Sequence, residues 1–168
     1  STPTPPPPIL SGLVGSEMCI RDRALVDESV LGNPRRVSVG FEVNRLSMLL
    51  AVLHRHGGIQ VSDQDVFVNA VGGIRVDETS SDLALVLAVV SSFRNHILPQ
   101  NLVVFGEVGL SGEIRPVPKG QERLNEAAKH GFARAVVASA NSPKRAVAGI
   151  EVVGVTTLSE ALEAIATS

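Results

Sequence analysis

The residues of this 168-residue chain best suited to a chemical task are cations, and the task is holding phosphate. Arg35, Arg36, Arg45, His54 and Arg55 form the densest basic stretch. Phosphate contacts need only convergent positive side chains, and they release counterions, so such binding weakens as salt rises. A second set, Lys119, Arg123, Lys129, Arg134, Lys144 and Arg145, is more scattered. For either set the competing role is a solvated face or an intersubunit salt bridge. Other chemistries fail on spacing. A nucleotide-binding loop requires Gly-x4-Gly-Lys-Ser/Thr, so that backbone N–H groups wrap the phosphates and the lysine reaches them. Gly109-Leu110-Ser111-Gly112 has neither that spacing nor the Lys-Ser/Thr pair, and it reads as a turn. His54 and His56 point in different directions at one helix end, while His96 and His130 lie near others, where a cation suits the helix dipole. No metal site is expected. Glu107, Glu113 and Glu122 are the available acid/base carboxylates, but hairpins and helix surfaces ordinarily carry such charges.

The elements that must position these groups follow from hydrophobic periodicity. Alternation after Pro34 predicts a strand over 35–41. Val43, Leu46, Leu50 and Leu53 fall at helical spacing over 42–56, and Gly57-Gly58 ends that helix. Arg45, His54 and Arg55 lie off its apolar line. A β-branched run over 65–71, closed by Gly72-Gly73, predicts another strand. Ser80 or Ser81 is placed to cap a helix over 82–95 that is apolar on nearly every side and so belongs in the middle. Beyond it come a strand over 101–105, a glycine-turned hairpin over 106–117, a helix over 119–130 stopped by Gly131, strands over 133–138 and 150–155, and a closing helix over 159–166. The alternating order predicts an α/β (α+β) class, a mixed sheet with helices packed against it.

Composition narrows the function classes. With 44% hydrophobic residues, five Phe and neither Trp nor Tyr, one aliphatic core is expected. A net charge of -2 excludes the broad positive field of a free-standing nucleic-acid binder, so any DNA contact must be a local patch. Cys19 is the sole cysteine, which excludes an internal disulfide and a zinc site of paired cysteines. A reducing cytoplasm fits best. No apolar run reaches the roughly 18 to 20 residues that span a bilayer.

Residues 1–23 stand apart: a proline tract and a Gly/Ser stretch without period, expected to be disordered. Met18-Cys19-Ile20-Arg21-Asp22 is also the translation of ATG TGT ATA AGA GAC, and the string resembles a translated transposon-type sequencing adapter. On that reading the segment is non-native, and the natural chain enters near Ala24 as a piece of something longer. A polyproline II linker is the alternative.

From Asp77 the order Asp77-Glu78-Thr79-Ser80-Ser81-Asp82-Leu83-Ala84, the buried helix, a strand, Gly106-Glu107, the hairpin through Gly112, Pro116 and the opening Lys119-Gly120-Gln121-Glu122-Arg123 resembles the proteolytic domain of the Lon family. The resemblance covers about 67–166 and implies that fold, a ribosomal protein S5 domain 2-like mixed sheet with packed helices. It puts Ser80 where those peptidases hold their nucleophile and Arg123 where they hold its partner lysine. A lysine amine can be neutralised by burial to take the serine proton. A guanidinium cannot, because it stays protonated and only donates. Glu78-Thr79 and Ser81-Asp82 also replace the family's flanking Gly-Pro and Ala-Gly, and a carboxylate there opposes a developing oxyanion. The resemblance therefore implies a degenerate site with no catalytic residue. Ser80 becomes a helix cap, and Arg123 pairs with Asp82 or Glu78 as a structural salt bridge. An active Ser peptidase using Ser80 with an unrecognised base is the alternative.

Longer motifs sharpen the resemblance. Asn33-Pro34-Arg35-Arg36, Glu42-Val43-Asn44-Arg45-Leu46, Leu49-Leu50-Ala51-Val52-Leu53-His54-Arg55-His56-Gly57-Gly58, Val71-Gly72-Gly73 and Val104-Phe105-Gly106-Glu107-Val108-Gly109-Leu110 are similar to the Lon-like C-terminal domain of a family of bacterial DNA-repair ATPases, over about 24–168. That family implies an upstream zinc-finger module and RecA-like ATPase, ring assembly, most simply a hexamer, and processing of recombination intermediates by branch migration. ATP, Mg and Zn belong to those upstream domains, so no cofactor is expected here. The implied partners are DNA, further copies of the chain and the RecA recombinase, with no membrane. A ring multiplies a weak patch by its subunit number, so a net charge of -2 per copy is no obstacle. A pure protein-interaction scaffold is the competing role.

Overall fold

The computed structural model describes residues 24–30, 32–69, 79–96, 98–99 and 101–167. The 1–23 segment with Cys19, and 70–78 with Gly72, Gly73, Asp77 and Glu78, lie outside the described residues.

Among the described residues the strands form three small sheets, the first of them mixed, within the expected α+β class. In the first, β1 (Ala24–Glu28) runs antiparallel and β2 (Arg36–Val39) parallel to a central β3 (Gln64–Asn69). Nothing in the pattern of 24–28 singles out β1. It exists because β3 offers a second edge, with Val26 opposite Val66.

Helix α1 (Val43–Gly57) starts where expected because Glu42 is extended and its carboxylate accepts from the Asn44 and Arg45 N–H groups, both at 2.9 Å. Two orphan donors of the first turn are thereby satisfied. It stops at Gly58, whose φ of 68° lets its N–H reach back to the Leu53 and His54 carbonyls. Leu46, Leu49, Leu50, Val52 and Leu53 are buried along it. Helix α2 (Asp82–Phe93) follows a 3-10 turn, Thr79–Ser81, and is buried throughout 82–91. It is the central rod, packed against β1 on one side and β4 (Leu102–Phe105) on the other.

Strand β4 joins β7 (Arg134–Ala138) and β8 (Glu151–Val155) in a parallel sheet of order β4-β7-β8. Alternate residues supply two cores, as parallel strands covered on both faces require. Leu102, Val104, Val136 and Ala138 join the main core with α1, α2 and α4 (Leu158–Ala166). Val103, Phe105, Ala135 and Val137 pack instead with Leu124 and Ala127 of α3 (Gly120–Lys129). The third sheet is the predicted hairpin, β5 (Glu107–Val108) against β6 (Ile114–Arg115). Its turn needs Gly112 twice over: φ is +79°, and an added Cβ would lie 2.8 Å from His56 Cβ at the end of α1.

Candidate functional site

The start of α2 collects three buried polar side chains, Ser80, Ser81 and Asp82. Gly106 N–H donates to the Ser80 carbonyl at 3.1 Å, and Leu83 N–H donates to the Gly106 carbonyl at 3.0 Å. The 3-10 turn is thus laced to the chain between β4 and β5. Close approach demands glycine there, since a Cβ on Gly106 would meet Ile114 Cγ2 at 2.9 Å and Leu83 Cδ2 at 3.3 Å. Ser80 is itself buried, at 3% exposure, which leaves its hydroxyl little approach for a peptide.

Asp82 is fully buried, and three donors converge on it. Arg45 Nε donates to Oδ1 at 2.8 Å, Arg45 Nη2 donates to Oδ2, and Val108 N–H donates to Oδ2 at 3.1 Å. Burial pushes the Asp82 carboxyl above the ordinary carboxylate range, against the pull of the Arg45 and Val108 hydrogen bonds. The same hydrogen bond raises the Arg45 guanidinium further above its usual value. This is a two-point, charge-assisted bond, the strong kind. It corrects the expectation for Asp82, because Arg45 rather than Arg123 holds that carboxylate. The other expected partner of Arg123, Glu78, lies outside the described residues.

Arg123 is 6% exposed, with its Nε donating to the Pro118 carbonyl at 3.1 Å and its guanidinium carbon 5.8 Å from the Phe105 ring centroid. The structure therefore brings the two dyad positions to consecutive residues: Ser80 bonds Gly106, and Arg123 covers Phe105. The capping role is a second correction. Ser81 is the N-cap of α2, yet its side chain makes no capping hydrogen bond, and Ser81 Oγ is buried without a hydrogen-bond partner among the described residues. The backbone tie to Gly106 takes the place of a cap. Glu107 and Glu113 do not form an acid/base pair either. Arg115 stands between them, 3.6 Å from Glu107 and 3.0 Å from Glu113, and Thr79 Oγ1 donates to Glu107 at 2.9 Å. The Arg115 hydrogen bond holds Glu113 below the ordinary carboxylate range. Glu122 is exposed on the first turn of α3.

The basic stretch comes apart on folding. Arg45 is committed to Asp82. Arg36 donates to the Gln64 carbonyl and, at 3.0 Å, to the Val61 carbonyl, so it ties β2 to the loop before β3. Arg35 lies 3.6 Å from Asp65 and 5.4 Å over the Phe67 ring, with 60% of its side chain exposed. His54 and Arg55 stay exposed on the last turn of α1. His96 Nε2 is 3.2 Å from the Ile165 carbonyl, and His130 is 3.5 Å from Glu126. Among the described residues no cluster of three His, Cys, Asp or Glu is arranged to hold a metal. None of their helices is long and apolar enough to cross a membrane.

Sequence reasoning missed the Arg45–Asp82 pair. Its one signal was a lone carboxylate opening a helix apolar on all sides, which must find a cation if buried.

Comparison with known proteins gives this sequence relatives. The family model described as subunit ChlI of Mg-chelatase matches residues 29–141. The DNA repair protein RadA of Escherichia coli (strain K12) is 66% identical over 145 residues, 86% of this chain and 32% of that protein. The DNA repair protein RadA of Pseudomonas aeruginosa is 64% identical over 148 residues, 88% of this chain and 33% of that protein. The DNA repair protein RadA of Bacillus subtilis (strain 168) is 42% identical over 147 residues, 83% of this chain and 31% of that protein. The chain spans about a third of the length of these curated relatives.

Proposed function

The chain belongs to the family described as subunit ChlI of Mg-chelatase and is related to the RadA DNA repair proteins, and from that premise we propose that it is the noncatalytic module of a longer, cytoplasmic DNA-repair protein. In this reading it joins copies into a ring, a hexamer, and contacts DNA while recombination intermediates are processed by branch migration. ATP, magnesium and zinc are handled elsewhere in the longer protein, and the RecA recombinase is a further partner.

The observation that carries the noncatalytic half is Arg123. On a Lon-like framework the base for Ser80 would stand there, and the group present is a buried guanidinium with Phe105 beneath it and the Pro118 carbonyl as acceptor. A guanidinium only donates hydrogen bonds and cannot serve as the base for a hydroxyl. Asp82, two residues past the hydroxyl, is buried and committed to Arg45 and Val108, which leaves it no part in activating Ser80. The outer face of the first sheet supports the assembly half. Leu25 and Val37 flank Phe67 in one cross-strand row, at 56% and 40% exposure, and Val39 is 54% exposed. An exposed apolar row of this kind marks a contact surface, and it also favours a pure protein-interaction scaffold as the second reading.

Two measurements test the proposal. Incubation with unfolded casein should release no fragments, and release abolished by Ser80→Ala would overturn it. Retention on a DNA column at low salt separates the DNA-contacting module from the scaffold: failure of the full-length protein to be retained would leave only the scaffold.

A further inference from the structure

We infer that the DNA backbone is held not by the basic stretch around α1 but in the cleft between α3 and the 139–149 loop, where Lys144 and Arg145 grip its phosphates; this rests on the DNA-contact half of the proposed function. The cleft is open and about 730 Å³ in volume. Its polar lining is Gln121 and Asn125 from α3 with Asn141, Ser142, Lys144 and Arg145 from the loop, and no carboxylate is among its described lining residues. Glu122 and Glu126 belong to the same helix but fall outside the lining, and Glu126 is engaged by Lys129 at 3.7 Å and His130 at 3.5 Å.

Charge commitment thins the α1 stretch, which keeps Arg35 beside Asp65 and the exposed His54 and Arg55. Arg36 and Arg45 spend their donors on backbone carbonyls and on Asp82. Lys144 and Arg145 are exposed and make no salt bridge among the described residues. Two cations without counter-charge among the described residues, beside the amide pair in which Gln121 Nε2 donates to Asn125 Oδ1 at 3.1 Å, form a surface complementary to an anion chain. The open shape suits a polymer that enters and leaves, rather than a small molecule enclosed on all sides.

The cleft is also built in advance. Asn141 clamps the loop to the segment before α3, accepting from the Val117 N–H at 2.8 Å and donating to its carbonyl at 3.0 Å. Gly120, the first residue of α3, lets the loop sit close, because a Cβ there would lie 2.4 Å from Asn141 Nδ2. On the far side Gly154 of β8 leaves room for Ser142, whose hydroxyl is 2.5 Å from where a Cβ would be. The cations therefore stand on a braced loop, and binding need not order it.

Inorganic phosphate shares the recognised chemistry, so the experiment separates it from DNA. Anisotropy of a fluorescein-labelled oligonucleotide is titrated with the chain over a series of sodium chloride concentrations. The double variant Lys144→Ala/Arg145→Ala should bind more weakly, with the slope of log affinity against log salt shallower by roughly 1.4 to 1.8, two phosphate contacts at about 0.7 to 0.9 each. Gln121→Glu, which removes no cation, should weaken binding in the same salt-dependent way, and Lys144→Arg/Arg145→Lys should keep the parent slope. His54→Ala/Arg55→Ala should leave it nearly unchanged. If the parent binds DNA and the Lys144/Arg145 variant keeps its slope, the cleft is not the contact, while the proposed module survives. If the variant loses inorganic phosphate by calorimetry but keeps DNA, the site is for the free ion and the inference falls. A parent chain that binds no oligonucleotide even at low salt overturns this inference together with the DNA-contact reading.

Discussion

Replacing Arg45 by alanine tests the electrostatics of the interior. Asp82 has no exposure, and its acceptors are filled by the Arg45 guanidinium and the Val108 N–H. Arg45→Ala removes the charge and both guanidinium bonds but leaves the carboxylate in place. Removing one partner of a buried pair costs about 3 to 5 kcal/mol. The Arg45 side chain keeps 27% exposure, so solvent already screens part of the attraction, and a loss of about 3 kcal/mol is expected. For a domain of this size that lowers Tm by about 6 to 12 °C. The sign with pH follows from Asp82. In the variant the carboxyl loses the hydrogen bond that pulls its pKa down, while burial still pushes it up. A folded pKa raised above the unfolded value of about 3.9 contributes stability that is present below that value and lost as pH rises through the folded one. Arg45→Ala should therefore trail the parent most near pH 7 and recover part of the gap as the buffer is taken to about pH 5. Asp82→Asn should cost less, about 1 to 2 kcal/mol, because the stranded charge is then partly solvated. Urea unfolding followed by circular dichroism at both pH values reads all of this. A gap between Arg45→Ala and the parent that is identical at the two pH values, or a cost no larger than for Asp82→Asn, would refute the reasoning.

Gly106→Ala forces a methyl group against Ile114 and Leu83, at 2.9 and 3.3 Å in the present geometry, and should destabilise by about 1 to 3 kcal/mol in the same unfolding experiment. Ser81→Ala should be neutral or stabilising by up to about 1 kcal/mol, since the buried Ser81 hydroxyl has no hydrogen-bond partner to lose; a large destabilisation would reveal one. Arg123→Lys substitutes a point charge for a planar group that covers Phe105 and donates to Pro118. It should lower Tm and, on the proposed noncatalytic reading, create no casein hydrolysis, because the Ser80 side chain is buried.

What was legible in the sequence is what short-range periodicity determines. The apolar line through Leu46, Leu50 and Leu53 gives α1 to within a residue at each end, and Gly58 marks its stop. The continuous run after Asp82 marks α2 as central, and the glycines between Val108 and Ile114 mark the hairpin. Sheet membership was not legible, because β1 is specified by an edge of β3 some forty residues away rather than by its own pattern. Charge commitment was not legible either, for the same physical reason. Arg45 and Asp82 lie 37 positions apart, and only the packing of α1 beside α2 makes them partners. Density of cations along a sequence thus measures supply, whereas binding depends on what remains after the fold has taken its share. Arg36 and Arg45 lie in the densest stretch, yet folding uses both as structural donors. Lys144 and Arg145 look scattered in the chain, yet both line a cleft with no carboxylate among its described lining residues. The same logic explains the dyad positions. Arg123 is electrostatically conspicuous, but it is buried against Phe105 of the second core, where a guanidinium holds structure and cannot accept a proton.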